Sequence, residues 1–249
     1  GCVAAYAALL RDDDAGVLQH LRAALHVARE CGYRHGPMLF LCGDMMSRLC
    51  AFALLHGVEP DIARDIAVRN QLKAPPQADG SWPWAVRVRA LGTLEVEIGG
   101  TPMPSSRKES RRLLELLGVL AAHGHTPVAQ DAIADALWPD ADGDAARNAL
   151  DNALHRLRKL LGGDDRIVLR QGALALNPQR CWTDVAALER MLGEIDGADA
   201  SQRPTLVSPV QRLYTAPLLA DEALPLVARR REALHRQVQR ALQKAGESL

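Results

Sequence analysis

Apolar residues recur every three or four positions along residues 3–30 (VAAYAALLRDDDAGVLQHLRAALHVARE) and again along 38–56 (MLFLCGDMMSRLCAFALLH). This is the period of a helix with one buried face, and β-branched runs are almost absent, so both stretches predict amphipathic helices. Gly32, Gly36 and Pro37 punctuate them. A shorter helix is predicted from Pro60, whose missing N–H is harmless in a first turn, to about Leu72. The arrangement reads as the tail of a helical-hairpin stack.

Residues 73–84 (KAPPQADGSWPW) carry three prolines and two tryptophans and predict a linker pinned by aromatic contacts. After it the period drops to two. Ala85–Leu91 and Leu94–Ile98 each alternate apolar with charged residues on either side of Gly92-Thr93, which predicts paired antiparallel strands. Helical spacing returns along 107–124, 128–138 and 143–163, and Arg166–Arg170 and Ala173–Asn177 then flank Gln171-Gly172 as a hairpin does. Residues 183–249 predict further helices and no sheet, the first begun by Thr183 as N-cap.

Strands, three helices and a hairpin, in that order, are the order of a winged helix, whose third helix enters the major groove. Projected at 3.6 residues per turn, the 144–161 helix places Leu150, Leu154, Leu157 and Leu161, with Ala146 and Ala153, on one arc. Asn148, Asn152, His155 and Lys159 fall opposite, flanked by Arg156 and Asp151. Asn pairs with adenine edges and Arg or Lys with guanine, whereas a merely solvated helix more often shows Glu and Lys four apart. An ordinary wet face remains the competing account.

Charge narrows this picture. The 249 residues balance 30 Lys and Arg against 30 Asp and Glu, so no global basic signature marks a nucleic-acid binder. Residues 86–182 hold 13 basic and 12 acidic residues, which implies weak non-specific affinity and reliance on a second copy or partner. Local cationic groups are Arg107, Lys108, Arg111 and Arg112 before the first long helix, Arg147, Arg156, Arg158 and Lys159 in the third, and Arg166 and Arg170 in the wing. Asp140, Asp142 and Asp144 crowd the turn before the third helix.

These residues resemble a known family. VRVRALGTLEVEIGG, RKESRRLLELLGVLAAHG, DAIADALWPDADGDAARNALDNALHRLRKLLGG and ALALNPQRCWTDVAALERML look like the OmpR-type winged helix joined to a bacterial transcriptional activator domain, as in the Streptomyces antibiotic regulatory proteins. LYTAPLLADEALPLVARRREALHRQVQRAL is similar to the opening, tetratricopeptide-like helices of that activator domain, and the earlier part looks more loosely like the junction in large MalT-like regulators. The resemblance implies a fold that is mainly α with a small β component, a winged helix-turn-helix flanked by tetratricopeptide-like segments. Its domains would be a helical sensor tail at 1–72, the linker, a DNA-binding domain at 85–182 and the start of the activator domain at 183–249. Recognition residues would be Arg147, Asn148, Asn152, His155, Arg156 and Lys159, the wing would contribute Arg166 and Arg170, and Lys108 and Arg111 would contact phosphates. The turn through Trp138, Asp140 and Asp142 would face RNA polymerase. Asp151 departs from this pattern, since it should repel phosphates.

Other chemistry is sparse. Cys2, Cys31, Cys42, Cys50 and Cys181 form no Cys-x-x-Cys pair and read as reduced thiols in a cytoplasm. No secretion signal or apolar run of about 18 residues is present, and Gly1 at the start reads as a cut from a longer protein. His123 and His125 lack a third ligand at metal spacing, and Gly124 between them reads as a helix cap. No cofactor is expected, and no phosphate loop or nucleophile motif indicates an enzyme. The expected partners are duplex DNA, RNA polymerase and a second copy, with no membrane. The alternative is an interaction module that docks polymerase or itself without reading DNA, and a small-ligand sensor is a third option.

Overall fold

The computed structural model describes residues 1–33, 42–76, 78–103 and 111–246. They divide into two compact units, Gly1–Trp84 with Pro178–Arg180, and Ala85–Asn177 with Cys181–Leu249. The fold is mainly α with a small β component. No helix among the described residues is long and apolar enough to cross a membrane.

The first unit holds α1 (Cys2–Leu9), α2 (Asp14–Glu30), α3 (Gly43–Leu55) and α4 (Pro60–Arg69). The single periodic run predicted over 3–30 is therefore two helices. The break is capped locally: the Asp13 carboxylate accepts from the Gly16 N–H at 2.9 Å, and a Cβ on Gly16 would overlap that carboxylate. α1 packs on α2 and α3 on α4, burying Val17, Leu21, Leu25, Leu49, Cys50 and Ile66. The predicted start of α3 at 38–41 lies outside the described residues. α4 ends at Arg69 rather than near Leu72, where the Asn70 side-chain amide donates to the Ile66 carbonyl at 2.8 Å. Both linker tryptophans are buried, and the Trp84 indole N–H donates to the Asp79 carbonyl at 2.8 Å. Burial, aided by the nearby Cys2, pushes the Cys50 thiol up to about 12, which keeps it protonated and unreactive.

The second unit opens with β1 (Val86–Arg89), β2 (Glu95–Ile98) and β3 (Thr101–Pro102). β1 and β2 pair antiparallel from Val86↔Ile98 to Arg89↔Glu95, with Val86 and Val88 buried as the alternation requires. Then come α5 (Arg111–Ala122), β4 (Val128–Ala129), α6 (Gln130–Leu137), α7 (Gly143–Leu160), β5 (Ile167–Arg170) and β6 (Ala173–Leu176). The helix predicted over 128–138 thus begins with two strand residues, because β4 pairs with β6 and completes a sheet of order β4-β6-β5. The β5–β6 turn has φ of +50° at Gln171 and +75° at Gly172, the left-handed pair of a two-residue hairpin. β7 (Cys181–Thr183) pairs parallel with β1, giving the first sheet the order β3-β2-β1-β7.

α8 (Asp184–Gly197), α9 (Arg203–Leu213) and α10 (Pro225–Lys244) follow, and the Thr183 hydroxyl caps α8 by accepting from Ala186 N–H at 3.0 Å. These helices share one core with the winged helix: Val185, Leu188, Val227, Leu234 and Val238 join Leu116, Leu120, Ile133, Leu150 and Leu157. Polar ties reinforce it. Arg230 donates through Nε to the Ala122 carbonyl at 3.1 Å and pairs with Glu189, while Arg231 donates to the Leu218, Leu219 and Glu222 carbonyls. Gly124 (φ +60°) lies so close to α8 that a Cβ there would sit 3.3 Å from the Ala186 Cα, so position and conformation both require glycine.

Candidate nucleic-acid interface

α7 is built from its N-terminus. Asp142 takes extended backbone and its carboxylate accepts from the Ala145 N–H at 2.8 Å, with Asp144 in the first turn and Arg158 and Lys159 in the last. That charge order follows the helix dipole and stabilises an 18-residue helix whose apolar arc is Ala146, Leu150, Ala153, Leu154 and Leu157. With that arc buried, Arg147, Asn148, Asn152, His155, Arg156 and Lys159 are all exposed along the opposite face and its flanks.

Their surroundings differ. Among the described residues, no side-chain hydrogen bond or ion pair occupies Asn148, Asn152, His155 or Lys159. Arg147 reaches α6 and pairs with Asp131, an exposed pairing of small stabilising value that a phosphate could replace. Asp151 is exposed one turn from both Arg147 and His155 and makes the face less attractive to phosphate there.

The wing presents Arg170 fully and Arg166 only in part. The Arg166 side chain is 18% exposed and pairs with Asp165, and its carbonyl accepts from the Asn177 N–H at 2.9 Å, so Arg166 sits at the root of the hairpin. Arg158, which the sequence shows only as one of the positive charges of this helix, has a structural role. It is half-buried between the two arcs of α7 and donates to the Ile167 carbonyl at 3.3 Å, tying the helix to the wing.

At the start of α5, Arg111 and Arg112 both reach the buried Glu115, at 3.0 and 2.7 Å, and Arg111 stays 90% exposed. Lys108 lies outside the described residues. In the α6–α7 turn Trp138 packs against the core, Asp140 is exposed, and the Asp142 carboxylate serves as the helix cap.

Over 82 residues the chain is 39% identical to the transcriptional regulatory protein EmbR of Mycobacterium tuberculosis, and equally so to that of Mycobacterium bovis. The match takes in 32% of this chain and 20% of the relatives, so the chain spans about a fifth of their length. Among solved structures it is similar to Mycobacterium tuberculosis EmbR in complex with a low affinity phosphopeptide, at a TM-score of 0.48 and 24% identity, over 63% of this chain and 43% of that one. No protein-family model matches the chain.

The paired histidines after α5 have structural partners. His123 Nδ1–H donates to the Val119 carbonyl at 2.8 Å and His125 Nε2–H to the Cys181 carbonyl at 3.0 Å. Burial holds both below the usual 6.5, with Arg230 adding to the effect at His123 and Arg190 at His125, against Glu189. A histidine with a depressed folded value is neutral in the fold and takes up its proton on unfolding. Its stability contribution is therefore complete above 6.5 and declines as pH falls below it. The thermal midpoint of the chain is expected to drop between pH 7.5 and 5.5, and His125→Gln should flatten that slope; an equal slope in the variant would remove His125 from the account.

Proposed function

We propose that this chain is the DNA-binding part of a bacterial transcriptional regulator, an activator, that reads duplex DNA by placing α7 in the major groove. The observation that carries this reading is the exposed polar face of α7, rich in Asn, Arg and Lys, set against a fully buried leucine arc and followed by a hairpin. Similarity over 82 residues to a transcriptional regulatory protein supports it. Asn148 and Asn152 suit adenine edges, and Arg156 and Lys159 suit guanine edges or phosphates. His155 adds a donor, Arg147 exchanges Asp131 for a phosphate, and Arg170 with Arg166 and Arg111 contacts the backbone on either side.

The turn through Trp138, Asp140 and Asp142 leaves one carboxylate free to meet a basic surface of RNA polymerase. The near-neutral charge of residues 86–182 makes a single copy a weak binder, so two copies on one site supply the affinity. Such a regulator works in the cytoplasm.

Selection of duplexes from a random-sequence library by the wild-type chain, followed by fluorescence anisotropy, tests this directly. Enrichment of a common site is expected, with Arg156→Ala and Lys159→Ala each weakening binding to it about tenfold. Lys159→Ala should also lower the salt slope by about one if it meets a phosphate. No enrichment, or unchanged affinity in both variants, would leave α7 as a protein-docking or merely solvated face.

A further inference from the structure

A cleft of about 820 Å³ lies in the second unit, walled by β2, the end of β3, α5 and the connection from α9 to α10. Its size falls among small-molecule pockets, about 300 to 1,000 Å³. Leu94, Met103 and Leu114 line it half-buried and Leu219 lines it buried, so the floor is apolar.

Two features set it apart from an ordinary surface depression. The first is Gly118, which lines the cleft in the middle of α5. Glycine inside a helix is destabilising relative to alanine. A Cβ there would stand 3.4 Å from the Leu219 Cδ1, an ordinary contact, so packing alone does not require the glycine. What the missing methyl leaves open is the cleft. The second is Leu219, whose φ of +41° is a left-handed conformation that a bulky residue rarely adopts. The fold imposes it: the Leu219 N–H donates to the Ala90 carbonyl at 2.8 Å, Leu218 bridges to Leu91, and Arg231 donates to the Glu222 carbonyl at 2.7 Å. Backbone strain held in this way concentrates at ligand sites.

Charge decides the class of ligand. Five carboxylates line the cleft against one guanidinium, that of Arg111. Glu97 pairs with Arg89 at 2.7 Å, and Glu115 takes both Arg111 and Arg112. Glu95 is 3.7 Å from the Arg89 that Glu97 already holds. Among the described residues Asp221 and Glu222 have no ion pair, and the Glu222 carboxylate accepts the Leu224 N–H at 3.3 Å. We propose that this cleft binds an organic amine with an apolar body, its ammonium group meeting Asp221 and Glu222 and its ring or chain covering Leu94, Met103, Leu114 and the open side of Gly118. An anion would face uncompensated carboxylates, and an inorganic cation would leave the apolar floor in water. The site is independent of the reading of α7. Since its walls belong to the strands and first helix of the winged helix and to the loop before α10, an occupant ties these parts together and raises the thermal midpoint.

The probe is dansylcadaverine, a fluorescent ring system on an alkyl primary amine. Its match is the dansyl derivative of 6-aminohexanoic acid, in which a carboxylate replaces the amine. Both are titrated into the full chain near neutral pH, by fluorescence and by calorimetry. Dansylcadaverine is expected to bind one site with a Kd on the order of 10 µM, and the carboxylate probe at least about tenfold more weakly. Asp221→Asn combined with Glu222→Gln should weaken the amine about tenfold and close the gap between the two probes. Gly118→Ala should weaken dansylcadaverine about threefold while the thermal midpoint of the free chain holds or rises, a combination that a folding defect cannot produce. Equal affinity for the two probes, or a double variant that binds the amine as well as wild type does, would overturn the proposal. So would the absence of saturable amine binding up to about 1 mM, which would leave the cleft to a protein partner.

Discussion

Asp184→Ala is expected to destabilise the second unit by about 3 to 5 kcal/mol and to lower its thermal midpoint by roughly 10 °C. The carboxylate is only 3% exposed. Its Oδ1 accepts from Ala90 N–H at 2.9 Å and Val185 N–H at 2.8 Å, and its Oδ2 from Ala90 and Leu91 N–H at 2.8 Å. One side chain therefore closes the end of β1 and starts α8, joining the first sheet to the helices that follow. Burial pushes the carboxyl above its usual range, and the N–H donors pull it part of the way back.

Alanine leaves the Ala90 and Leu91 N–H groups buried with no acceptor, the costly side of hydrogen-bond removal. Asparagine keeps one oxygen and turns an amide NH₂ toward donors, so it should recover only part of the loss. Thermal unfolding followed by circular dichroism measures both, and a shift under about 2 °C for alanine would show that water replaces the carboxylate.

What the sequence shows of this fold depends on how local each signal is. α7 is legible because its leucines and its Asn, Arg and Lys positions obey one 3.6-residue period over five turns, and the structure buries the leucine arc that the period defines. The β5–β6 hairpin is legible because Gln171-Gly172 supplies a two-residue left-handed turn between alternating strands.

β7 is not legible. Its three residues have no usable alternation, and what makes them a strand is pairing with β1 from more than 90 positions away. The break between α1 and α2 was present in the sequence as Asp13 three residues before Gly16, but it is hidden within an otherwise continuous apolar period. At the candidate interface the face was readable and the supports were not. Arg158, Asp184 and Arg230 act through backbone carbonyls or N–H groups brought up by the tertiary fold, and no spacing in the sequence announces them.

The two faces of α7 should separate cleanly by mutation. Leu157→Ala is expected to cost about 2 to 5 kcal/mol, since Leu157 is fully buried within a leucine-rich core and its loss leaves a cavity there. Asn152→Ala, five residues earlier on the exposed face, should change stability by less than about 0.5 kcal/mol, since asparagine forms helices less well than alanine and no side-chain partner is lost. Affinity for the selected duplex should respond in the reverse order when measured well below both thermal midpoints. Asn152→Ala should lose about tenfold and accept any base at one position, whereas Leu157→Ala should bind within a few fold of wild type as long as it is folded. That crossed pattern requires a helix whose polar side chains are read by a partner and whose apolar side chains only hold them in place. If Asn152→Ala keeps full affinity and full base preference, Asn152 makes no base contact, and the reading of α7 has to rest on Arg156 and Lys159 and a largely phosphate-directed grip.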